Sequence, residues 1–335
     1  MSEQRFVMMM GLAGSGKSTF AKQIMEGREN VVYLSSDELR EELTGDVNNQ
    51  DANTDVFAEM LKRTKEALKE GKDVVYDATN LNRKRRRGLL SQLPKNIHKA
   101  IAYMATTYEN TVYQNTQRER QVPLYVIQKM YKNLQIPVYS EGWNTIEIVY
   151  DRDTLDDELL PQVAHPIRAC VLVGKGGYDL MRDLGVYFKE FSNIYDMAQD
   201  SKWHSFSVSR HTYYVYKHVL DNYEGKDNLD KEIMLWAGLL HDTGKYVCKS
   251  FYNRKGEETR YANFIGHEFV SSQIAVSILK RLGYSDSTIH KVATLIQFHM
   301  YLLNEDANKK KLKQYVGEEM YEKLVFLRDA DTLAH

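Results

Sequence analysis

Gly11, Gly16, Lys17 and Ser18, within MMMGLAGSGKSTF (Met8 to Phe20), fill the pattern G-x-x-x-x-G-K-[ST]. A glycine-rich loop of this kind turns backbone N–H groups onto nucleotide phosphates, so Gly11, Gly14, Ser15, Gly16, Lys17, Ser18 and Thr19 are expected to cradle ATP or GTP. Lys17 would bring a positive charge to the β and γ phosphates, and the Ser18 hydroxyl would hold magnesium (Mg2+). The loop alone does not say what receives the phosphate.

Three further places in the first half carry chemistry. SSDELR puts Asp37 and Arg40 one helical turn apart, just beyond a short apolar strand. Asp37 can take the proton of an attacking hydroxyl while Arg40 grips a phosphate of the acceptor; the plainer alternative is an intrahelical ion pair. Asp77 closes the apolar run Asp73 to Tyr76, where a second carboxylate supports the metal. Arg118 and Arg120 stand just before Pro123, on a segment able to close over a triphosphate. The basic run Arg83 to Arg87 reads first as a solvated face, but it is also the clearest footprint for a polyanion.

The histidines make a second cluster, since nine of the ten lie after residue 164. WAGLLHDTGK ends an apolar helix with adjacent His241 and Asp242, one nitrogen and one oxygen for a metal that accepts mixed ligands such as Mn2+, Ni2+ or Co2+. His211, His267, His299 and Asp331 lie on predicted helices before and after it. Nine residues separate His290 from His299 and put them on opposite faces of one helix, and the apolar neighbours favour His299. His211 and His218 share a face but stand too far apart along it to bind one ion together, and His211 is retained.

The elements that position these residues follow from periodicity. Phe6 to Met10 reads as a buried strand, Ser18 to Glu26 as a helix stopped by Gly27, and Val31 to Leu34 as a second strand. Ser35 or Ser36 caps the next helix, and Asp55 to Glu70 forms another that ends at Gly71. A lid helix carries Leu124, Ile127, Tyr131 and Leu134 on one side. Residues 151–200 open with acidic DRDTLDDELLPQ and read as a connecting segment; VLVGKGG inside it lacks the phosphate-loop spacing and reads as a turn. From about residue 202 the periodicity is helical almost throughout.

At 335 residues, 43% hydrophobic and 27% charged, the chain has room for about two domains. A formal net charge of −1 excludes a global pull toward nucleic acid, so any polyanion must meet a local patch. Two cysteines, Cys170 and Cys248, are too few for a disulfide framework and suit a reducing cytoplasmic setting. No apolar run reaches bilayer length and MSEQRF lacks a signal-peptide pattern, so a soluble, non-secreted protein with no membrane partner is expected.

GLAGSGKST, SSDELR, YDATNLN and NTQRERQVP, in this order and at these distances, resemble the 5′-hydroxyl polynucleotide kinases of phage and bacterial nucleic-acid repair over about residues 1–150. That resemblance implies an α/β P-loop kinase domain with a parallel sheet and helices on both faces. Lys17 and Ser18 would bind ATP phosphates and magnesium, Asp37 would be the general base, Arg40 would meet the acceptor phosphate and Asp77 would support the site. Arg118 would be the lid arginine, with Arg120 its rival.

The order His211, His241-Asp242, His267, His299, Asp331 resembles the HD-domain metal phosphohydrolases over about residues 202–335, especially the HD domain of bacterial tRNA nucleotidyltransferases. It implies an all-α domain (201–335). There His211, His241, Asp242 and Asp331 would hold a core metal, and His267 and His299 would serve a second ion. Lys245 would bind the substrate phosphate, and Asp331 is preferred over Asp329. Together the halves imply a bifunctional RNA end-healing enzyme acting on 5′-hydroxyl and 2′,3′-cyclic or 3′-phosphate ends, RNA favoured over DNA, whose products suit a separate RNA ligase. In known fusions of these modules the HD part comes first, whereas here the kinase leads. A nucleoside or nucleotide kinase joined to a nucleotide phosphohydrolase, and a nucleotide-responsive module with a regulatory metal site, are the alternative readings.

Overall fold

The computed structural model describes residues 4–201 and 205–334. It divides into two compact units, Met1–Met130 with Pro137–Asp151, and Tyr131–Ile136 with Arg152–His335.

The first unit is a five-stranded parallel sheet flanked by helices. Its strands are β1 (Arg5–Met10), β2 (Val31–Ser35), β3 (Asp73–Asp77), β4 (His98–Ala105) and β5 (Thr145–Tyr150), in the order β2-β3-β1-β4-β5. The helices between them are α1 (Lys17–Met25), α2 (Ser36–Thr44), α3 (Asn53–Lys69), α4 (Arg83–Leu90), α5 (Tyr108–Thr116) and α6 (Leu124–Tyr131). β1 is central, and Phe6, Met8, Met9 and Met10 are wholly buried, as a strand covered on both faces requires. Successive strands lie to one side of β1 and then to the other, so the crevice opens where β1 meets α1. The registers Met9 with Asp77 and Ser35 with Asp77 bring the ends of β1, β2 and β3 level around that opening.

Two expectations need correction here. The lid helix stops at Tyr131, so Leu134 lies beyond it; Ile127, Tyr131 and Leu134 are buried, but Leu124 is exposed. The basic run is not one solvated face. Arg86 is fully buried and donates from Nε and Nη2 to the two oxygens of Glu141 at 2.7 Å each, with Nη1 on the carbonyls of Asn80 and Leu81. Arg83 lies 3.5 Å from the same carboxylate, leaving Lys84, Arg85 and Arg87 exposed.

The second unit is helical. It contains α7 (Arg152–Asp156), α8 (Pro161–Val173), α9 (Asp179–Tyr187), α10 (Lys189–Ile194), α11 (Val208–Asn222), α12 (Asn228–Leu240), α13 (Lys245–Cys248), α14 (His267–Arg281), α15 (Asp286–Phe298), α16 (Lys309–Val316) and α17 (Glu318–Leu333). α12 is its core: Leu235, Trp236, Ala237, Leu239 and Leu240 are wholly buried. Residues 151–200 are more than a connection, because α7 to α10 bury Leu180, Met181, Phe188, Phe191 and Ile194 within this unit. The unit is also not purely α. β6 (Ser250–Tyr252) and β7 (Glu258–Asn263) form an antiparallel hairpin.

Candidate active sites

In the first unit the loop between β1 and α1 is shaped by its glycines. Gly11 and Gly14 have φ of 156° and 90°, and a Cβ on Gly11 would come 2.6 Å from Ser15 Oγ. A side chain there would be strained and would collide, so the tight turn needs glycine. Thr106 Oγ1 donates to the Ser15 carbonyl at 2.9 Å and Gly11 N–H to Thr79 at 3.1 Å, which fixes the loop on the sheet. Lys17 Nζ donates to the Leu12 carbonyl at 2.6 Å. Burial of its ammonium pushes the Lys17 pKa down to about 8, against the opposing pull of Asp77 and Asp37, while the nearby charge of Arg118 adds to the depression.

Ser18 Oγ and Tyr33 OH both donate to Asp77 Oδ2 at 2.7 Å. Burial and the Asp77 carboxylate push the Tyr33 hydroxyl well above its ordinary value, so it stays a donor. Tyr33 is a site residue that sequence reasoning missed. Its signal was modest, a strand residue two places before the capping Ser35.

α2 begins at a capped turn, where Ser35 Oγ accepts from Glu38 N–H. That turn presents Asp37, half exposed, to the cleft. Arg40 Nη1 lies 3.1 Å and Arg120 Nη1 3.3 Å from its two oxygens. Arg40 is buried and also donates to Asn53 Oδ1 at 2.8 Å, while Arg120 is tied to Asn48 and Val47. The intrahelical pair is therefore present, and it leaves Asp37 oriented. The Arg118 guanidinium makes no hydrogen bond or ion pair among the described residues, its backbone N–H donating to the Asn115 carbonyl at 3.3 Å. One cavity of about 700 Å³ is lined by Gly14, Gly16, Lys17, Ser18, Thr19, Asp37, Arg40, Asp77, Arg118 and Arg120 together.

The second unit gathers its site residues from six elements. His211 lies on α11, His241 and Asp242 follow α12, Lys245 opens α13, His267 opens α14, His299 follows α15 and Asp331 lies on α17. All seven are buried. Gly244 makes this possible, since a Cβ there would meet the His267 carbonyl at 2.6 Å and Ser271 N at 2.7 Å; here glycine serves close approach.

Each histidine is anchored through Nδ1 on a backbone carbonyl: His211 on Ala334 (2.8 Å), His241 on Gly238 (2.8 Å), His267 on Phe264 (2.8 Å) and His299 on Ile296 (2.6 Å). A carbonyl can only accept, so each Nδ1 donates to it and each Nε2 is left facing inward. The Nε2 atoms of His211 and His241 are 3.4 Å apart, and those of His267 and His299 3.3 Å. Asp331 Oδ1 lies 2.9 Å from His211 Nε2, whereas Asp329 is half exposed and paired with Arg328. Asp242 spans the cluster, with Oδ2 at 3.4 Å and 3.3 Å from His211 and His241, and Oδ1 at 3.3 Å from His267.

Two groups able to hold an ion result, His211 with His241 and Asp331, and Asp242 with His267 and His299. Asp242 thus falls with the second pair by proximity, while its carboxylate reaches both. Asp242 Oδ2 is buried and accepts no well-directed hydrogen bond, although Lys245 Nζ is 2.7 Å away. Four imidazole Nε2 atoms converging around such an orphaned oxygen fit a cation. Burial and neighbouring charges treat the histidines differently. Burial and the neighbouring His267 and His241 push His299 down to about 3, so it is neutral and free to ligate. Burial opposes a charged His241, but Asp242 and Asp331 outweigh it and raise its pKa. Despite burial, the surrounding cations hold both aspartates ionised well below the usual carboxylate range. Lys245 Nζ also donates to Gln199 Oε1 at 2.8 Å, a contact across 46 residues that no local pattern announced.

Residues 6–137 match the family model of the AAA domain, and residues 204–335 that of the HD domain. Among curated proteins, the CC-adding tRNA nucleotidyltransferase of Thermus thermophilus is 28% identical over 178 residues, 52% of this chain and 37% of that protein. The A-adding tRNA nucleotidyltransferase of Deinococcus radiodurans is 30% identical over 103 residues, 30% of this chain and 23% of that protein. The chain thus spans well under half the length of these relatives. Among solved structures, a Pnkp1/Rnl/Hen1 RNA repair complex aligns at 20% identity and a TM-score of 0.36, over 40% of this chain and 44% of the other.

Proposed function

We propose that this chain, in which an AAA domain is joined to an HD domain, heals broken RNA ends. The first unit phosphorylates 5′-hydroxyl ends with ATP, and the second hydrolyses 2′,3′-cyclic phosphate or 3′-phosphate ends. The observation that carries the reading is the shared cavity of about 700 Å³, where a phosphate-binding loop faces a half-exposed aspartate held between two arginines. A loop that only bound a nucleotide would need no such carboxylate.

In this site the loop N–H groups and Lys17 would hold the triphosphate, and Ser18 with Asp77 the magnesium. Asp37 takes the proton of the acceptor hydroxyl, Arg40 and Arg120 keep its carboxylate aimed, and Arg118 is free to meet the charge that grows on the transferred phosphate. In the second unit His211, His241 and Asp331, with Asp242, His267 and His299, would hold one or two of Mn2+, Ni2+ or Co2+. When bound, such ions acidify a water and polarise a phosphoryl oxygen. Lys245 positions Asp242 and presents its ammonium to a substrate phosphate. Relatives named as tRNA nucleotidyltransferases favour RNA over DNA. Free Cys170 and Cys248 suit a reducing cytoplasm, and among the described residues no helix is long and apolar enough to cross a membrane. The healed ends are substrates for a separate RNA ligase.

The test is to supply labelled ATP with a 5′-hydroxyl RNA oligonucleotide or a mononucleoside, and to offer 2′,3′-cyclic and 3′-phosphate ends with Mn2+, Ni2+, Co2+ or Mg2+. Transfer to the oligonucleotide and release of phosphate or opening of the cycle are expected. Labelling of the mononucleoside alone would overturn the repair reading, and inactivity on every 3′ end would leave the metal site a regulatory role.

A further inference from the structure

A second pocket in the first unit, about 510 Å³, lies between α3 and α4; the surface it exposes is mostly apolar, contributed by side chains such as Phe57, Leu61, Leu81 and Leu89, with Asn80, Asn82 and Gln92 among its polar neighbours. It is continuous with the phosphate cleft, because Asn53, Phe57, Thr79 and Arg85 line both. Catalysis as described above makes no use of it.

Arg85 marks the passage between the two. Its neighbour Arg86 is locked on Glu141, yet the exposed Arg85 guanidinium has no hydrogen bond or ion pair among the described residues. Asn53, at the same passage, holds Arg40 and so links it to Asp37. An apolar recess with an aromatic wall, reached past a free guanidinium from the hydroxyl-activating aspartate, has the chemistry of a nucleobase followed along a strand. The anion at the passage is then a backbone phosphate, which a planar guanidinium fits.

We infer that this pocket receives the base of the acceptor's second nucleotide, counted from the 5′ end, while Arg85 binds the phosphate joining it to the first. The inference rests on the kinase reading and makes the site selective for strands over free nucleosides.

Its test uses the full chain and 5′-hydroxyl RNA oligonucleotides that are intact, abasic at the second nucleotide, or carry a neutral methylphosphonate at the first linkage. Each change is expected to raise KM of the wild-type protein about tenfold, with little change in kcat. Arg85→Ala is expected to raise KM for the intact oligonucleotide by a similar factor and to abolish the further penalty of the neutral linkage, while the abasic penalty persists. A wild-type protein that phosphorylates all three oligonucleotides with one KM overturns the pocket assignment and leaves the kinase reading standing. Additive penalties in Arg85→Ala overturn the role of Arg85. Failure to phosphorylate any oligonucleotide overturns the kinase reading, and the subsite with it.

Discussion

The two sites treat their charged groups in opposite ways. In the first unit Asp37 is half exposed, the Arg118 guanidinium has no hydrogen bond or ion pair among the described residues, and glycines hold the backbone open to an anion. In the second, four imidazoles and two carboxylates are buried and each imidazole is pinned from behind by a carbonyl. A site that must admit two substrates and release two products keeps mobile cations at its mouth, and most of its electrostatics is assembled on binding. A metal site instead fixes its ligands beforehand, since ligand atoms already aimed inward lose little freedom when an ion arrives. The comparison predicts that damage to the second site is all-or-none and that damage to the first is graded.

The sharpest break would come from Asp242→Ala. It removes the carboxylate that, among the described residues, reaches both ligand groups, and leaves Lys245 buried without its counter-charge. Loss of bound metal and of all 3′-end hydrolysis is expected, with 5′ phosphorylation retained, read by elemental analysis beside end-group assays. Stranding Lys245 costs about 3–5 kcal/mol, so Asp331→Ala is the companion variant if folding suffers. Loss of both activities in a folded protein would contradict separate sites.

Next in size is Lys17→Ala, expected to lower 5′ phosphorylation about a thousandfold and to leave hydrolysis unchanged. The arginines then grade the cleft. Arg118→Ala is expected to cost about a hundredfold in kcat, because its guanidinium is free to meet transferring charge. Arg120→Ala, which removes a contact to Asp37 already supported by Arg40, should cost less than tenfold. Equal losses, measured by steady-state kinetics on one oligonucleotide, would erase the distinction between a lid arginine and a positioning one.

How much of this was legible beforehand differs by region for the same physical reason. The phosphate loop is local: its glycines, lysine and serine are contiguous, and the strand that ends at Asp77 announces itself by its apolar run. The order of buried histidines was also legible, since each sits at a helix end or on an apolar face. What could not be read is pairing over distance. Arg86 looked like one more solvated cation until Glu141, 55 residues on, neutralised it in the core. Gln199 gave no sign that it would meet Lys245. Residues 151–200 looked like a connection because acidic residues and glycines interrupt the pattern, yet short helices between those interruptions still bury Phe188, Phe191 and Ile194. The hairpin at Ser250–Tyr252 and Glu258–Asn263 lay inside a stretch whose neighbours are all helical.

The smallest effect is set by protons at Lys17. Burial has lowered its pKa from the ordinary 10.5 to about 8, so near pH 8 the free protein holds a mixture of charged and neutral Lys17. A triphosphate favours the ammonium and raises that pKa again, which means that binding must take up a proton wherever the free group is neutral and the bound group is not. Below pH 8 the group is charged in both states and no uptake is due. Above it, affinity for ATP is expected to fall by up to about tenfold per pH unit until the pKa of the complex is passed. Calorimetry at pH 7 and pH 9, in buffers of different ionisation enthalpy, should show proton uptake only at the higher pH, and Lys17→Ala should abolish it. Uptake that persists in Lys17→Ala would move the titrating group elsewhere in the cleft. Proton release on binding would contradict a lysine with a lowered pKa as the feature that distinguishes this open site from the pinned one.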